Sequence, residues 1–506
     1  MQNHITSAKL YNHCLCPHRV WRDEHSDLEE KDSENEFLQL LWEKGTQFEQ
    51  KTIAELGDFL NLSHGELDER NKKTMEAIKA SVKMIYQGVI KFDNLLGIPD
   101  VLELQANGTY VPIEIKAGRG LDADDDFEVG KPKEKYAMQL AVYIEILVGL
   151  NLMKEKIAYV YDIEGNKVMY DLNRSLNTKT KETFWDRYLK RKQEVLSLIN
   201  NFIKTKPAIG SSCKMCHWLT SCKEECIKND DLSRIFYLGR VDRDKITEDL
   251  HIESMKELAE QNVDEILLLK NQKKKQGDKQ FLFGIGEKDF TKYIRRAKLY
   301  QTNTDKPVIL ENFVFPDKKY ELFFDIEDDP TQDIVYLHGI LERVNGKLKY
   351  IPFVAKDNSL EAERLAWVEF WNYIKTLPLD NYVVYYYSSH ESSIYQRLFN
   401  KHPGVIDISL LEQFFNKENG AAVDLYYDII FSKTEWPLYS YSVKSIAQFL
   451  GFKWRDKNPS GAASIEWYNN WLNNKDSKKL QRILDYNEDD CRATLFLKDK
   501  LVSYLR

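Results

Sequence analysis

The stretch Gly97-Ile98-Pro99-Asp100, followed by Val111-Pro112-Ile113-Glu114-Ile115-Lys116, decides how the N-terminal half of this chain is read. On a strand, residues two apart share a face, so Glu114 and Lys116 point one way while Val111, Ile113 and Ile115 point the other, into a core. Asp100 joins Glu114 only if the connecting loop has the right parity. A two-residue turn at Asn107-Gly108 pairs Asp100 with Ile115, whereas a three-residue loop, Ala106 to Gly108, pairs it with Glu114. The three-residue loop is expected, with Gly108 as its left-handed residue. Two carboxylates and a lysine so arranged suit metal-dependent phosphodiester hydrolysis. Asp100 and Glu114 would hold Mg²⁺ or Mn²⁺, and Lys116 would orient the nucleophile and stabilise developing negative charge. The plainer alternative is an amphipathic hairpin with solvated charges.

Around this hairpin the chain reads as α/β. Helical periodicity through Phe37-Leu38-Leu40-Leu41-Trp42 leads to Gly45-Thr46-Gln47-Phe48-Glu49, where Glu49 is either a third metal ligand or a solvated helical acid. A polar acidic loop (Asp122 to Glu128) precedes a helical run from Lys135 to Leu150. In that run Gln139 and Tyr143 share a face and can reach a substrate phosphate, or else form a polar edge on a core helix. Strands are expected at Ile157 to Tyr161 and Lys167 to Leu172 with a turn at Gly165-Asn166, then a charged helix from Thr180 to Ile203.

The seven cysteines fall at 14, 16, 213, 216, 222, 226 and 491. The N-terminus lacks a signal-peptide pattern and no apolar run spans a bilayer, so a cytoplasmic protein without a membrane partner is expected. In a reducing compartment the C-x2-C-x5-C array Cys213, Cys216, Cys222 reads as metal ligation. A fourth thiol, Cys16 or Cys14, would clip the two ends of the region together around iron–sulfur or zinc.

Cys16-Pro17 with Trp21, Gly45-x-x-x-Glu49, Asp100, Glu114-Ile-Lys116, Gln139-x-x-x-Tyr143 and the cysteine triplet occur in the order found in RecB-like nucleases of the PD-(D/E)XK superfamily that carry an iron–sulfur cluster. Residues 1 to 229 resemble that family, which includes CRISPR-associated RecB-like exonucleases and the nuclease domain of AddB. The resemblance implies a restriction-endonuclease-like core, a [4Fe-4S] cluster on Cys16, Cys213, Cys216 and Cys222, and metal-dependent DNA cleavage. Glu49 stands where many relatives have a His.

Residues 230 to 305 read as a helical linker. Between Lys270 and Lys298 ten Lys or Arg face three acids. Phe283-Gly284-Ile285-Gly286 resembles the turn of a helix-hairpin-helix, whose backbone N–H groups take a DNA phosphate. Lys273, Lys274, Lys275, Gly284, Gly286, Lys288, Arg295 and Arg296 are therefore candidate nucleic-acid contacts, against the alternative of a solvated basic face.

From Pro307 the pattern turns β-rich. Glu321-Leu322-Phe323-Phe324-Asp325-Ile326-Glu327 places Asp325 and Glu327 on one face and Leu322, Phe324 and Ile326 on the other. Strands at Ile334 to Leu341 and Leu348 to Val354 complete a meander. A helix (Leu360 to Ile374), a strand (Tyr382 to Tyr387) and Ser389-His390-Glu391 at a helix start follow. Near the end Tyr486 and Asp490 share a helix face. Carboxylates from a first strand and a last helix converge only if the sheet brings them together, as two-metal hydrolysis requires.

Residues 306 to 506 resemble the DnaQ-like, RNase H-fold exonucleases of the DEDD type. Asp325 and Glu327 match the first motif and Tyr486-x-x-x-Asp490 the last in its tyrosine form, where Tyr486 would help orient the attacking water. Glu391 stands where the second motif normally has Asp. Asp424, Asp428 and Asp489 are spare acids that either compensate for that departure or, the plainer reading, are structural or solvated.

With 506 residues, 43% hydrophobic and 30% charged, the chain has room for two or three domains and no disordered composition. Its net charge of −8 neither requires nor excludes nucleic acid, since nucleases bind through local patches beside acidic metal sites. The expectation is a metal-dependent DNA nuclease, with RNA possible, acting on single strands or ends. No G-x4-G-K-[ST] loop is present, so a helicase or recombination partner would supply single strands. The alternative is a nucleic-acid-binding scaffold whose C-terminal site, departing at Glu391, no longer cuts.

Overall fold

The computed structural model describes residues 4–33, 36–122, 130–176, 181–302, 304–378, 380–457 and 460–505. The acidic loop expected up to Glu128 lies, beyond Asp122, outside them. Two compact units result: residues 1–207 with 211–225, and residues 208–210 with 226–506. Among the described residues no helix is long and apolar enough to cross a membrane.

The first unit is built on a six-stranded mixed sheet. Its strands are β1 (Leu60–Asn61), β2 (Met84–Tyr86), β3 (Val101–Leu104), β4 (Tyr110–Ile115), β5 (Ile157–Tyr161) and β6 (Lys167–Asp171), in the order β6-β5-β4-β3-β2-β1. Central β4 is buried along its whole length. On one side Ile113 and Ile115 meet Val101, Ile53 and Phe48, the last two from helix α1 (Glu36–Glu55). The other side is covered by helix α2 (Glu134–Gly149), whose turns are apolar almost all round, the signature of a helix enclosed by core. The β3–β4 pairing sets Val101 opposite Ile113 and Leu104 opposite Tyr110. Gln105 and Thr109 close the hairpin, leaving the three-residue loop Ala106 to Gly108 with Gly108 at φ +81°. β5 and β6 form the expected hairpin around Gly165 (φ +79°). The helix expected from Thr180 starts only at Phe184, because Thr183 and Asp186 cap it reciprocally, and it ends at Ile199.

The second unit has a five-stranded sheet of β7 (Tyr320–Asp329), β8 (Ile334–Val344), β9 (Lys347–Val354), β10 (Tyr382–Tyr386) and β11 (Ala422–Asp424), ordered β9-β8-β7-β10-β11. β7, β8 and β9 form an antiparallel meander, and β10 and β11 continue parallel to β7. The even-numbered face of β7 (Leu322, Phe324, Ile326) packs against Trp367, Phe370 and Trp371. Its odd-numbered face meets Cys491, Leu497 and Leu501 of the final helix, Ser477–Tyr504. The segment expected to be a linker is helical and packs within this unit. Phe236 stacks on Tyr441 at 3.9 Å, and Arg295 pairs with the buried Glu435 through two hydrogen bonds of 2.7 and 2.8 Å.

Candidate functional site

In the second unit three carboxylates converge. Asp325 and Glu327 lie on β7, and Asp490 on the last helix, which the apolar spacing Cys491, Thr494, Leu497, Leu501 seats on the sheet. One ligand oxygen from each lies within 4.8 Å of the other two. Burial, then the charge of Asp490, pushes Asp325 well above the usual carboxylate range; burial, then Asp325 and Asp490, does the same to Glu327. Burial also raises Asp490, against Lys444 and hydrogen bonds from Trp454 (2.7 Å) and Tyr486. Three hard oxygen donors that repel one another, Glu327 and Asp490 buried and Asp325 half-buried, fit Mg²⁺ or Mn²⁺, whose charge removes the repulsion.

Asn487 sets the spacing of this group. Its Nδ2 donates to Asp325 Oδ2 at 2.7 Å and stands 3.5 Å from Glu327 Oε1, while its Oδ1 accepts from Tyr350 Oη at 2.8 Å. It fits because Gly339, opposite Asp325 on β8, has no side chain: a Cβ there would lie 1.6 Å from Asn487 Oδ1. The Tyr486 hydroxyl donates to Asp490 and accepts from Lys444 Nζ at 2.5 Å. Glu391, at the start of the helix His390–Lys401, is 5% exposed, and its Oε2 has no hydrogen-bond partner. Burial, then Asp325, raises its carboxyl well above the usual range, so it lies within electrostatic reach of Asp325 though outside the 4.8 Å cluster. The three spare acids each have partners. Asp424 Oδ1 accepts from the backbone of Ser388, Tyr426 and Tyr427; Asp428 pairs with Lys417; Asp489 pairs with Arg455.

In the first unit the β3–β4 register, carried one residue further, sets Asp100 opposite Glu114. Asp100 Oδ2 accepts from Ile115 N at 2.7 Å and Oδ1 from Gln87 Nε2 at 3.0 Å. Glu114 accepts from Lys116 Nζ at 2.5 Å and from Tyr143 Oη at 2.7 Å. Burial, then Glu114, raises Asp100 well above its ordinary value. Burial works against the Lys116 ammonium, but Glu114 and Asp100 outweigh it and raise its pKa. Glu49 does not touch Asp100 directly; Gln87 bridges them, donating to Glu49 Oε1 at 3.0 Å, and Tyr86 donates to the same oxygen at 2.9 Å. Gln139 lies half-buried one turn before Tyr143 on α2.

The same unit brings its chain ends together. Ser212 donates to the carbonyl of Leu15, Asp23 accepts from Trp218 Nε1 and meets His217, and Arg22 approaches Cys222 Sγ at 3.6 Å. Cys16 interacts electrostatically with Cys216 and Cys222, and Cys213 with Cys216. Burial, against the charge of Arg191, pushes the Cys14 thiol up to about 11.

The basic segment divides. Lys274, Lys275 and Lys288 are exposed, Lys273 is half-buried with Nζ over the Phe281 ring, and Gly284 takes φ +87° beside the exposed Phe283. The expectation fails at Gly286 and Arg296. Gly286 N–H donates to Asp289, so a capping carboxylate occupies the place of a phosphate. Arg296 is 2% exposed and held by the Phe236 carbonyl and Glu435, and Arg295 also goes to Glu435. A basic run does not reveal which of its members a buried acid draws inward.

Sequence reasoning missed Asn487, Lys444, Trp454 and Gln87. Only Asn487 carried a signal, one helical turn before Asp490 and Cys491.

With this geometry in view, comparison with known families gives one match: residues 322–502 fit the RNase_H_2 model of the RNase_H superfamily. The C-terminal region is thus an RNase H-superfamily domain, in keeping with a nuclease-type hydrolase and with nucleic-acid binding. No curated protein and no solved structure matches the chain.

Proposed function

We propose that the protein is a metal-dependent DNA nuclease with two hydrolytic sites. The observation that carries this reading is the convergence of Asp325, Glu327 and Asp490 inside a domain of the RNase H superfamily. Those three residues would hold Mg²⁺ or Mn²⁺, and Glu391 would be the further carboxylate available to a second ion. Such ions, when bound, supply Lewis-acid charge at the scissile phosphate and lower the pKa of a bound water. The chain's own residues do the rest. Asn487 fixes the separation of Asp325 and Glu327, Trp454 orients Asp490, and the Tyr486 hydroxyl is aimed at the carboxylate cluster. The partnerless Oε2 of Glu391 favours a working site over the degenerate scaffold, because an unused buried carboxylate oxygen is costly to keep.

The first unit is read as a RecB-like PD-(D/E)XK nuclease domain of restriction-endonuclease type. Its support is the Asp100–Glu114–Lys116 arrangement, closed over by Tyr143 and extended through Gln87 to Glu49. The electrostatic links of Cys216 to Cys16 and Cys213, and of Cys222 to Cys16 and Cys216, are the support for a [4Fe-4S] cluster on these four thiols. Brown protein with visible absorption that Cys216→Ala removes is the expected result; colourless protein containing zinc would replace the cluster with a zinc site. Substrates are single strands or ends, supplied by a helicase or recombination partner. Processive degradation of duplex DNA by the purified protein alone would remove the need for that partner.

A further inference from the structure

Lys444 belongs to none of the motifs that carry the C-terminal site. It sits in the first turn of the helix Val443–Phe449, 42 positions before Tyr486 in sequence. Its Nζ nevertheless lies 2.5 Å from Tyr486 Oη and 4.7 Å from the centre of the Tyr486 ring. Its charge acts on Asp325, Glu327 and Asp490 alike.

The chemistry of the contact is directional. An ammonium has three donors and no acceptor, and a phenol has one proton. With Lys444 donating to Oη, the Tyr486 proton must point away from the lysine, toward Asp490 or an oxygen that enters the cluster. We infer that Lys444 is the positioning residue of the C-terminal site: it fixes Tyr486 as a hydrogen-bond donor to the attacking oxygen and places a positive charge beside the scissile phosphate. This deepens the metal-nuclease reading and rests on it. A cation there is unfavourable for metal binding and favourable for a transition state that gathers negative charge, so the two effects oppose each other. A lysine that only neutralised buried acids would not separate them.

The test uses full-length protein carrying Asp100→Ala, so that cleavage and metal uptake report on the C-terminal site. Free Mn²⁺ is counted by electron paramagnetic resonance, and cleavage of an end-labelled single strand is timed for Lys444, Lys444→Met and Lys444→Arg forms. The expected result for Lys444→Met is Mn²⁺ affinity tighter by on the order of tenfold together with kcat lower by about a hundredfold. Lys444→Arg should regain most of the rate. Unchanged affinity and rate, or tighter Mn²⁺ with an unchanged rate, overturns the inference alone. Loss of both with a lowered melting temperature assigns the lysine a merely structural role and also overturns it. If the parent protein holds no Mn²⁺ that Asp325→Asn removes, the metal reading falls, and the inference with it.

Discussion

Asn487 shows how much of the C-terminal site depends on a single contact. Its amide occupies space that exists only because residue 339 is glycine, and from there it bonds to Asp325 and Tyr350. Gly339→Ala should therefore cost about 1–3 kcal/mol through overpacking, read as a lower melting temperature. Cleavage should fall further than stability alone explains, because Asn487 must leave Asp325; a variant with wild-type rate and midpoint contradicts this. The carboxylates themselves set a pH dependence. Burial and mutual charge raise Asp325 and Glu327 in the folded protein, so the folded form binds more protons than the unfolded one. Stability in EDTA should then fall as pH rises from about 4, the ordinary carboxylate value, through the raised folded values. Asp325→Asn should flatten that slope, and saturating Mn²⁺ should oppose it, as thermal melts across pH will show. At this scale the alternation in Glu321 to Glu327 and the four-residue step from Tyr486 to Asp490 were legible. Lys444 was not, since nothing periodic links it to residues that only the tertiary fold brings near.

Loops and helix starts aim the side chains. The hairpin from Asp100 to Glu114 was readable because strand parity leaves two answers and Gly108 favours one. Its β3–β4 register puts the two carboxylates face to face. The loop before Glu391 was not readable. Ser388 there takes φ +89°, a left-handed conformation that costs a non-glycine residue on the order of 1 kcal/mol, and Asp424 holds it through the Ser388 backbone N–H at 3.0 Å. Ser388→Gly should raise the melting temperature by about 2–4 °C with little loss of rate, whereas Asp424→Ala should lower both. Calorimetry and cleavage kinetics on the two variants check this, and a destabilised Ser388→Gly contradicts it. The basic segment was misread at Arg296 and Gly286. Charge composition alone cannot show that Glu435 and Asp289 claim those groups.

Across the whole molecule, two compact units each contain carboxylates pushed toward neutrality, Asp100 in one and Asp325, Glu327 and Glu391 in the other. Acids shifted in this way by burial and by one another are what a cation site requires before its ion arrives. The α/β character of both halves followed from hydrophobic period, but the place of the helical segment did not: it packs into the second unit through Phe236, Arg295 and Arg296. The most direct measurement is cleavage of end-labelled single and double strands, DNA and RNA, in Mg²⁺ or Mn²⁺, by wild type, Asp100→Ala and Asp100→Ala/Asp325→Ala. The expected result is metal-dependent cleavage that survives Asp100→Ala and disappears in the double variant. Equal cleavage by the single and double variants, or a wild type inert with either metal, would contradict the assignment of Asp325, Glu327 and Asp490 as a nuclease site.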